Sequence, residues 1–416
     1  MPPEISVTLG GYGQTGVFVS EFQMAENKEQ AVTLGFLAIL RHVRDHGITD
    51  AVGVVETWIG HVRDPGVRGE MARLLAAFWL ARNDTGKTVH YGDIAVSLLP
   101  HDPVPVTAAL TALTRAGRWA EIIPRGRAAL ARFGEMHRWH DFLRAAHGHL
   151  NQMTEARHHG TRCLELRDAA LPDPPPRVAR ELAHVPVPAF DTARPERNVI
   201  SFSLYGDDER RIRMAVLNAR AARFLYPGWT CHFHTDDTVP APVVQALGGE
   251  GARVLKVQGL PADPYGPFWR FLIADEQGVD RYIVRDTSAL LNLRECVAVQ
   301  EWVRSDRHFH VMRDHFDHAE LILPGLWGGV RGALPPIGLW AQRYLAGRSG
   351  AAGLDPGQAF LRDQLWPIMR ASVLTHDSQF AFGEWRGFPA VGRLPHGCHA
   401  GGDDRALFAA RMARAR

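Results

Sequence analysis

Lysine is nearly missing from this chain: of 47 basic residues only Lys28, Lys87 and Lys256 are lysines, and the rest are arginines. The arginines are scattered and not blocked, so they read as the mark of a GC-rich coding sequence and not as a phosphate-binding surface. A formal net charge of +2 gives nucleic acid or an anionic membrane no electrostatic hold, and neither is expected as a partner. Cysteine is sparse too. Cys163, Cys231, Cys296 and Cys398 stand far apart without paired spacing, which excludes a disulfide framework and a zinc knuckle. Long apolar runs are also lacking: the longest, Leu74 to Ala81, is bracketed by Arg73 and Arg82 and is too short to span a bilayer. The opening Met1-Pro2-Pro3-Glu4 shows no basic segment followed by an apolar run, so a cytoplasmic location is the expectation.

What the chain does have is length and a globular balance. With 416 residues, 46% hydrophobic and 22% charged, it is long enough for two domains. Seven prolines between Pro172 and Pro195 mark a stiff connector, taken as residues 171–197. Before it, residues 28–170 read as all-helical. Leu34, Leu37, Leu40 and Val43 keep helical spacing, as do Met71, Leu74, Leu75, Phe78 and Trp79. Sliding the sequence by 34 residues lays Gly117-Arg118-Trp119 over Asn151-Gln152-Met153, Gly126 over Gly160 and Leu130 over Leu164. A 34-residue helix–turn–helix period resembles the tetratricopeptide repeat, whose stacked helix pairs present a concave face to a peptide or protein partner. An all-helical packing domain is the plainer alternative.

Residues 1–27 are read as an N-terminal hairpin or extension. Gly10-Gly11-Tyr12-Gly13-Gln14-Thr15-Gly16 matches the dinucleotide fingerprint, but Val17-Phe18-Val19 continues as strand where the fingerprint needs a helix. Gly86-Lys87-Thr88 ends like a phosphate-binding loop but lacks the upstream glycine, and reads as a turn.

Residues 198–400 alternate between strands and helices, ahead of a tail over 401–416. Strands are expected at Val199–Leu204, Trp229–His234, Arg253–Val257 and Arg281–Arg285, with a helix from Glu209 to Phe224 after the first. Polar residues close the strands, as in open α/β sheets that hold ligands at the strands' carboxyl ends.

Three blocks carry a resemblance: Ile200-Ser201-Phe202-Ser203-Leu204-Tyr205-Gly206, Arg285-Asp286-Thr287-Ser288-Ala289-Leu290, and Met312-Arg313-Asp314-His315 with Leu326-Trp327-Gly328-Gly329. Together they resemble a group of bacterial GT-A-fold glycosyltransferase-like proteins, from Asn198 to near Gly383. The resemblance implies an α/β GT-A-like (nucleotide-diphospho-sugar transferase) domain preceded by the all-α helical-repeat domain. It implies a nucleotide sugar as ligand, contacted by Ser203, Tyr205, Asp237, Arg270, Asp286 and Ser288. It makes Asp314, with Asp286, the catalytic carboxylates, Asp314 as general base. Trp327, Gly328 and His315 fall on the acceptor side. In that group a D-x-D motif holds Mg²⁺ or Mn²⁺ against the diphosphate, because hard oxygen ligands suit such ions. Asp286 is the first acid of that motif, and His376 in His376-Asp377-Ser378 is a further metal ligand candidate.

The chain departs from the pattern in two places. Ser288 stands where the second acid is expected, and Gly357 stands where a later acid precedes Gln358-Ala359-Phe360, unless Asp355 takes its role. Two readings follow. One is a glycosyltransferase whose acceptor is held partly by the helical domain. The other is a catalytically degenerate binding module or partner subunit that presents a peptide or protein to another enzyme. Asp314 also has a plain alternative, an ion pair with Arg313 or Arg285. Arg294-Glu295 opens a helix with Leu293, Cys296, Val297, Val299 and Val303 as its apolar face. His232-x-His234 and His308-x-His310 put paired rings on one strand face, a spacing zinc can use, although ordinary hydrogen-bonded histidines are the expectation without a third ligand.

Overall fold

Proline and glycine set where helices begin and end in the N-terminal part of the computed structural model, which describes residues 50–174, 176–260, 262–347, 355–395 and 397–402. The expected hairpin over 1–27, the Leu34–Val43 periodicity and most of the tail over 401–416 lie outside these residues. Helices run Asp50–Trp58, Pro65–Ala81, Thr85–Leu98, Val104–Arg115, Trp119–Phe133 and His137–His149. Asp64 caps the second of these through Val67 N at 2.8 Å, with proline in the first turn. The periodic residues Met71, Leu75 and Phe78 are buried together with Val55, Tyr91 and Ala95. Gly86-Lys87-Thr88 is not a turn: it lies in the first turn of Thr85–Leu98, where Asp84 accepts from Lys87 N at 2.9 Å. The Lys87 ammonium pairs with Glu56 at 3.0 Å and lies 3.9 Å from the centre of the Trp79 ring. Trp139, Leu113 and Ile122 fill a second helical core, and Gly126 lets the buried Leu143 approach so closely that a Cβ would sit 2.9 Å from it.

Helices begin at Thr85, Trp119 and Met153, at 34-residue intervals. The chain nevertheless divides between Asn151 and Gln152 and not in the proline stretch. The helix Met153–Ala169 belongs to the second unit because its side chains are used there. Leu164 enters the main core, Arg167 pairs with Glu320 at 3.1 Å, and Asp168 accepts from Trp366 Nε1 at 2.6 Å. Gly160 faces Phe380, and a Cβ there would lie 2.0 Å from the ring. Gly160→Ala is expected to cost about 1–3 kcal/mol through overpacking, with most of the loss recovered in Gly160→Ala/Phe380→Leu; thermal melts of the three proteins check it.

The proline stretch is not an empty connector. Pro176–His184 forms a helix that starts on its last clustered proline and buries Leu182 in the same core.

The second unit is built on an eight-stranded sheet in the order β3-β2-β1-β4-β6-β5-β7-β8. The strands are β1 Asn198–Leu204, β2 Thr230–Thr235, β3 Arg253–Lys256, β4 Arg281–Arg285, β5 Phe309–Arg313, β6 Leu326–Val330, β7 Val373–Asp377 and β8 Trp385–Arg386. All pairs are parallel except those of β6, which runs against both β4 and β5. The carboxyl ends of the other seven therefore share one edge. Gly328 and Gly329 make β6 possible: a Cβ at Gly328 would lie 2.7 Å from the Tyr282 carbonyl, and one at Gly329 2.6 Å from the Tyr282 hydroxyl. One face packs Ile200, Phe202, Phe233 and Ile283 under the helices Glu209–Leu225 and Leu293–Val303, the second of which contributes Trp302. The other packs Val199, Tyr282, Val284 and Trp327 against Phe268 and Phe271 of the 3₁₀ helix Gly266–Asp275.

Candidate functional site

Strand order decides which loops meet at the carboxyl edge of this sheet. From β1 the chain moves outward through β2 and β3, then returns to place β4 on the other side of β1. The loops leaving β1 and β4 therefore lie side by side at the sheet's carboxyl edge, which is where open α/β sheets bind ligands. Tyr205-Gly206-Asp207 leaves β1 and Asp286-Thr287-Ser288 leaves β4. Thr287 Oγ1 donates to the Ser203 carbonyl and ties the two loops together.

Asp286 sits at this opening with its side chain 46% exposed. Its Oδ2 accepts from Arg270 Nη1 at 2.8 Å, and its Oδ1 accepts from Ser288 N at 2.9 Å and Ser288 Oγ at 2.7 Å. Burial opposes its charge, but the Arg270 cation and these hydrogen bonds outweigh it and hold the carboxyl well below the usual carboxylate range. Arg270 arrives on the 3₁₀ helix, whose backbone is fixed to the sheet by two serines. Ser201 Oγ donates to the Arg270 carbonyl at 2.8 Å, and Arg270 N donates to Ser203 Oγ at 2.9 Å. Ser203 is therefore a buried anchor whose hydroxyl holds the Arg270 backbone and whose carbonyl holds Thr287. Tyr205 stands edge-on to Trp269, with the Arg211 guanidinium 4.9 Å from its ring centre. Asp237 is exposed and paired with Lys256.

The donor set does not fit Mg²⁺ or Mn²⁺. Such ions take several oxygens in a closed shell, and here the single carboxylate is already neutralised by a guanidinium. Ser288 spends its hydroxyl proton on the carboxylate's other oxygen, and Asp355 caps its own helix by accepting from Gln358 N at 2.9 Å. His376 is fully buried with both nitrogens engaged, Nδ1 to His310 Nε2 at 2.8 Å and Nε2 to Glu301 Oε2 at 3.0 Å. Among the described residues no group of three His, Cys, Asp or Glu side chains is arranged to hold a metal ion.

Asp314, the expected general base, has no lone pair to spare. A carboxylate offers about four acceptor sites. Oδ1 accepts from Arg294 Nη2 at 2.8 Å and Ser378 Oγ at 2.7 Å, and Oδ2 accepts from Arg294 Nε at 2.7 Å and Ala400 N at 2.9 Å. It is a node joining the ends of β5 and β7, the helix Leu293–Val303 and the segment at Ala400. The ion pair anticipated for it is real but belongs to Arg294, not Arg313 or Arg285. Arg285 pairs instead with buried Glu295 at 3.2 Å, and Arg313 lies 3.6 Å from Asp377. Leu293, expected on the apolar face of that helix, is 46% exposed, while Glu295 turns inward and closes a capping box with Asn292.

The acceptor-side residues separate. Trp327 is fully buried against Phe271 and Tyr282, and Gly328 lies under the Tyr282 carbonyl, so neither can border a sugar. His315 stacks on His399 at 4.4 Å. Nearby, a polar cavity of about 370 Å³ is lined by Arg294, Asp314, Ser378, Arg393 and Cys398. Sequence reasoning missed Ser378 and Ala400 as partners of Asp314, because one is a plain hydroxyl and the other a main-chain N–H.

The paired histidines are structural. His308 bonds Ser372 Oγ and the Val185 carbonyl, each at 2.8 Å, and His232 bonds Glu276 at 3.2 Å. Burial first, and then the charge of His232, push His234 down to about 4. Below an ordinary histidine pKa of 6.5 the unfolded chain takes up a proton that folded His234 refuses, so stability falls as pH drops from about 6.5 to about 4. The melting temperature should decline over that range, and His234→Gln should decline less.

No protein-family model matches the chain, and no curated protein does. Among solved structures it is similar to a mutant O-GlcNAc transferase of Thermobaculum terrenum, with 16% identity, 63% of this chain and 47% of that one covered, and a TM-score of 0.31. It is also similar to 4-diphosphocytidyl-2C-methyl-D-erythritol synthase from Anaerococcus prevotii, with 7% identity, 53% of this chain and 99% of that one covered, and a TM-score of 0.32. The chain spans about half the length of the first of these. At such scores neither likeness fixes a fold or an activity. No helix among the described residues is long and apolar enough to cross a membrane.

Proposed function

We propose that the second unit is a GT-A-like domain that binds a nucleotide sugar at the crevice between β1 and β4 and serves as a glycosyltransferase. One observation carries the reading: an ionised, half-exposed Asp286, fixed by Arg270 and Ser288, stands at the carboxyl end of β4, next to that of β1. The one acceptor site left on its Oδ2 suits a ribose hydroxyl, and Tyr205 offers a ring on the β1 side. The helical part is proposed to hold a peptide or protein, the role its 34-residue helix spacing suits.

A second reading is favoured by Asp314. With its four acceptor sites taken, the expected base is lost, which suits a binding module or partner subunit that no longer transfers the sugar. A thermal-shift titration of the whole chain with UDP-, GDP- and CMP-sugars tests the binding, since a ligand of the folded state raises the melting temperature. Release of free nucleotide from the sugar that binds separates the two readings: turnover supports the transferase, and tight binding without turnover supports the module. No shift with any donor sinks both.

A further inference from the structure

We propose that this chain holds a nucleoside diphosphate without a divalent cation, the Arg270 guanidinium supplying the positive charge that a metal would otherwise bring. The inference rests on the nucleotide reading of the β1–β4 crevice. A diphosphate brought beside Asp286 adds negative charge to a carboxylate that is itself ionised, and a cation must lie within a few ångströms to offset both. The described residues place one there. Arg270 lies against Asp286 at 2.8 Å, where a metal would have to displace it to reach the same oxygen.

Arg270 is also built for the task. Its backbone is clamped at both the amide and the carbonyl by Ser203 and Ser201, so the guanidinium is positioned before any ligand arrives. Nη1 serves Asp286 and the Arg285 carbonyl, yet Nε is buried with no hydrogen-bond partner. A buried donor left unpaired costs about 1–3 kcal/mol, and a planar guanidinium fork matches phosphate oxygens with two parallel bonds. Arg211, over the Tyr205 ring, brings a second cation to the β1 side of the opening. The serine at 288 then has a reason: an acid there would add charge to a site with no metal to absorb it, whereas the hydroxyl donates to Asp286 and steadies it.

Two measurements on the full chain decide it. In the first, Mn²⁺ is titrated into wild-type protein and followed by electron paramagnetic resonance. The free-ion signal should persist in the wild type and diminish with Arg270→Gln/Ser288→Asp, which restores an acid pair. Mn²⁺ bound by the wild type and released in Asp286→Asn overturns the inference. In the second, UDP, GDP and CDP are titrated by thermal shift in EDTA and again in Mn²⁺. At least one should bind equally in both, and Arg270→Met should weaken it by about tenfold or more, with Arg270→Lys between. Binding that needs Mn²⁺ removes this inference and leaves the nucleotide site standing. Binding of none of the three, with or without Mn²⁺, removes both.

Discussion

Asp286→Ala should weaken nucleotide-sugar affinity by about tenfold to a hundredfold, with only a modest loss of stability. One ribose hydroxyl donating to the acceptor site left on Oδ2 of this ionised carboxylate contributes about 1.5–3 kcal/mol, and that bond vanishes with the side chain. The carboxylate stays charged at any working pH, since Arg270 and Ser288 hold it below the usual range. Its half-exposed position means that water partly replaces it as a partner for Arg270, which limits the damage to folding. Asp286→Asn should fall between, because its amide oxygen still accepts while the charge is gone. Calorimetric titration with the best donor measures the loss, and unchanged affinity in Asp286→Ala would remove this crevice as the nucleotide site.

Glu295→Ala should lower the melting temperature of the second unit by roughly 10 °C or more. Glu295 and Arg285 are both almost wholly enclosed, and neither can recover water when the other is removed. Burial pushes the Glu295 carboxyl up, and the Arg285 charge and the Asn292 N–H work against that rise. Truncation therefore strands a buried guanidinium, at about 3–5 kcal/mol, and breaks the capping box that starts Leu293–Val303, at about 1 kcal/mol more. Replacing both partners with apolar residues, as in Arg285→Met/Glu295→Leu, should restore much of the stability. A double variant no better than Glu295→Ala would show that the pair is needed for more than mutual neutralisation.

The first four strands were legible because buried parallel strands read as short apolar runs closed by polar residues, and Val199–Leu204 and Arg281–Arg285 match within a residue. Leu326–Val330 was not legible as a strand. Its two glycines weaken any strand pattern, and only the Tyr282 neighbour explains them. The Pro176–His184 helix was hidden by the same prolines that start it. At the site, the loop acids could be found but their states could not. Asp286 and Asp314 look alike in sequence, each after a strand-ending arginine; one is half open and the other saturated. That difference depends on Arg270, Arg294, Ser378 and Ala400, which approach from distant parts of the chain.

The reversed strand β6 has a consequence for how this sheet can change over time. Val284 of β4 and Val311 of β5 both lie opposite Trp327, so Asp286 and Asp314 stand at nearly the same height, two strand spacings apart, about 9.5 Å. Alternation turns Asp286 toward the 3₁₀ helix and Asp314 toward the helix Leu293–Val303 on the opposite face. No described hydrogen bond or ion pair is shared between them. Sites so separated contribute to stability almost additively, so substitutions at one edge leave the other's free energy untouched. The acid once expected at 288 can be lost, and the Arg270 arrangement settled in its place, while the Asp314 node goes on holding the C-terminal segment to the sheet.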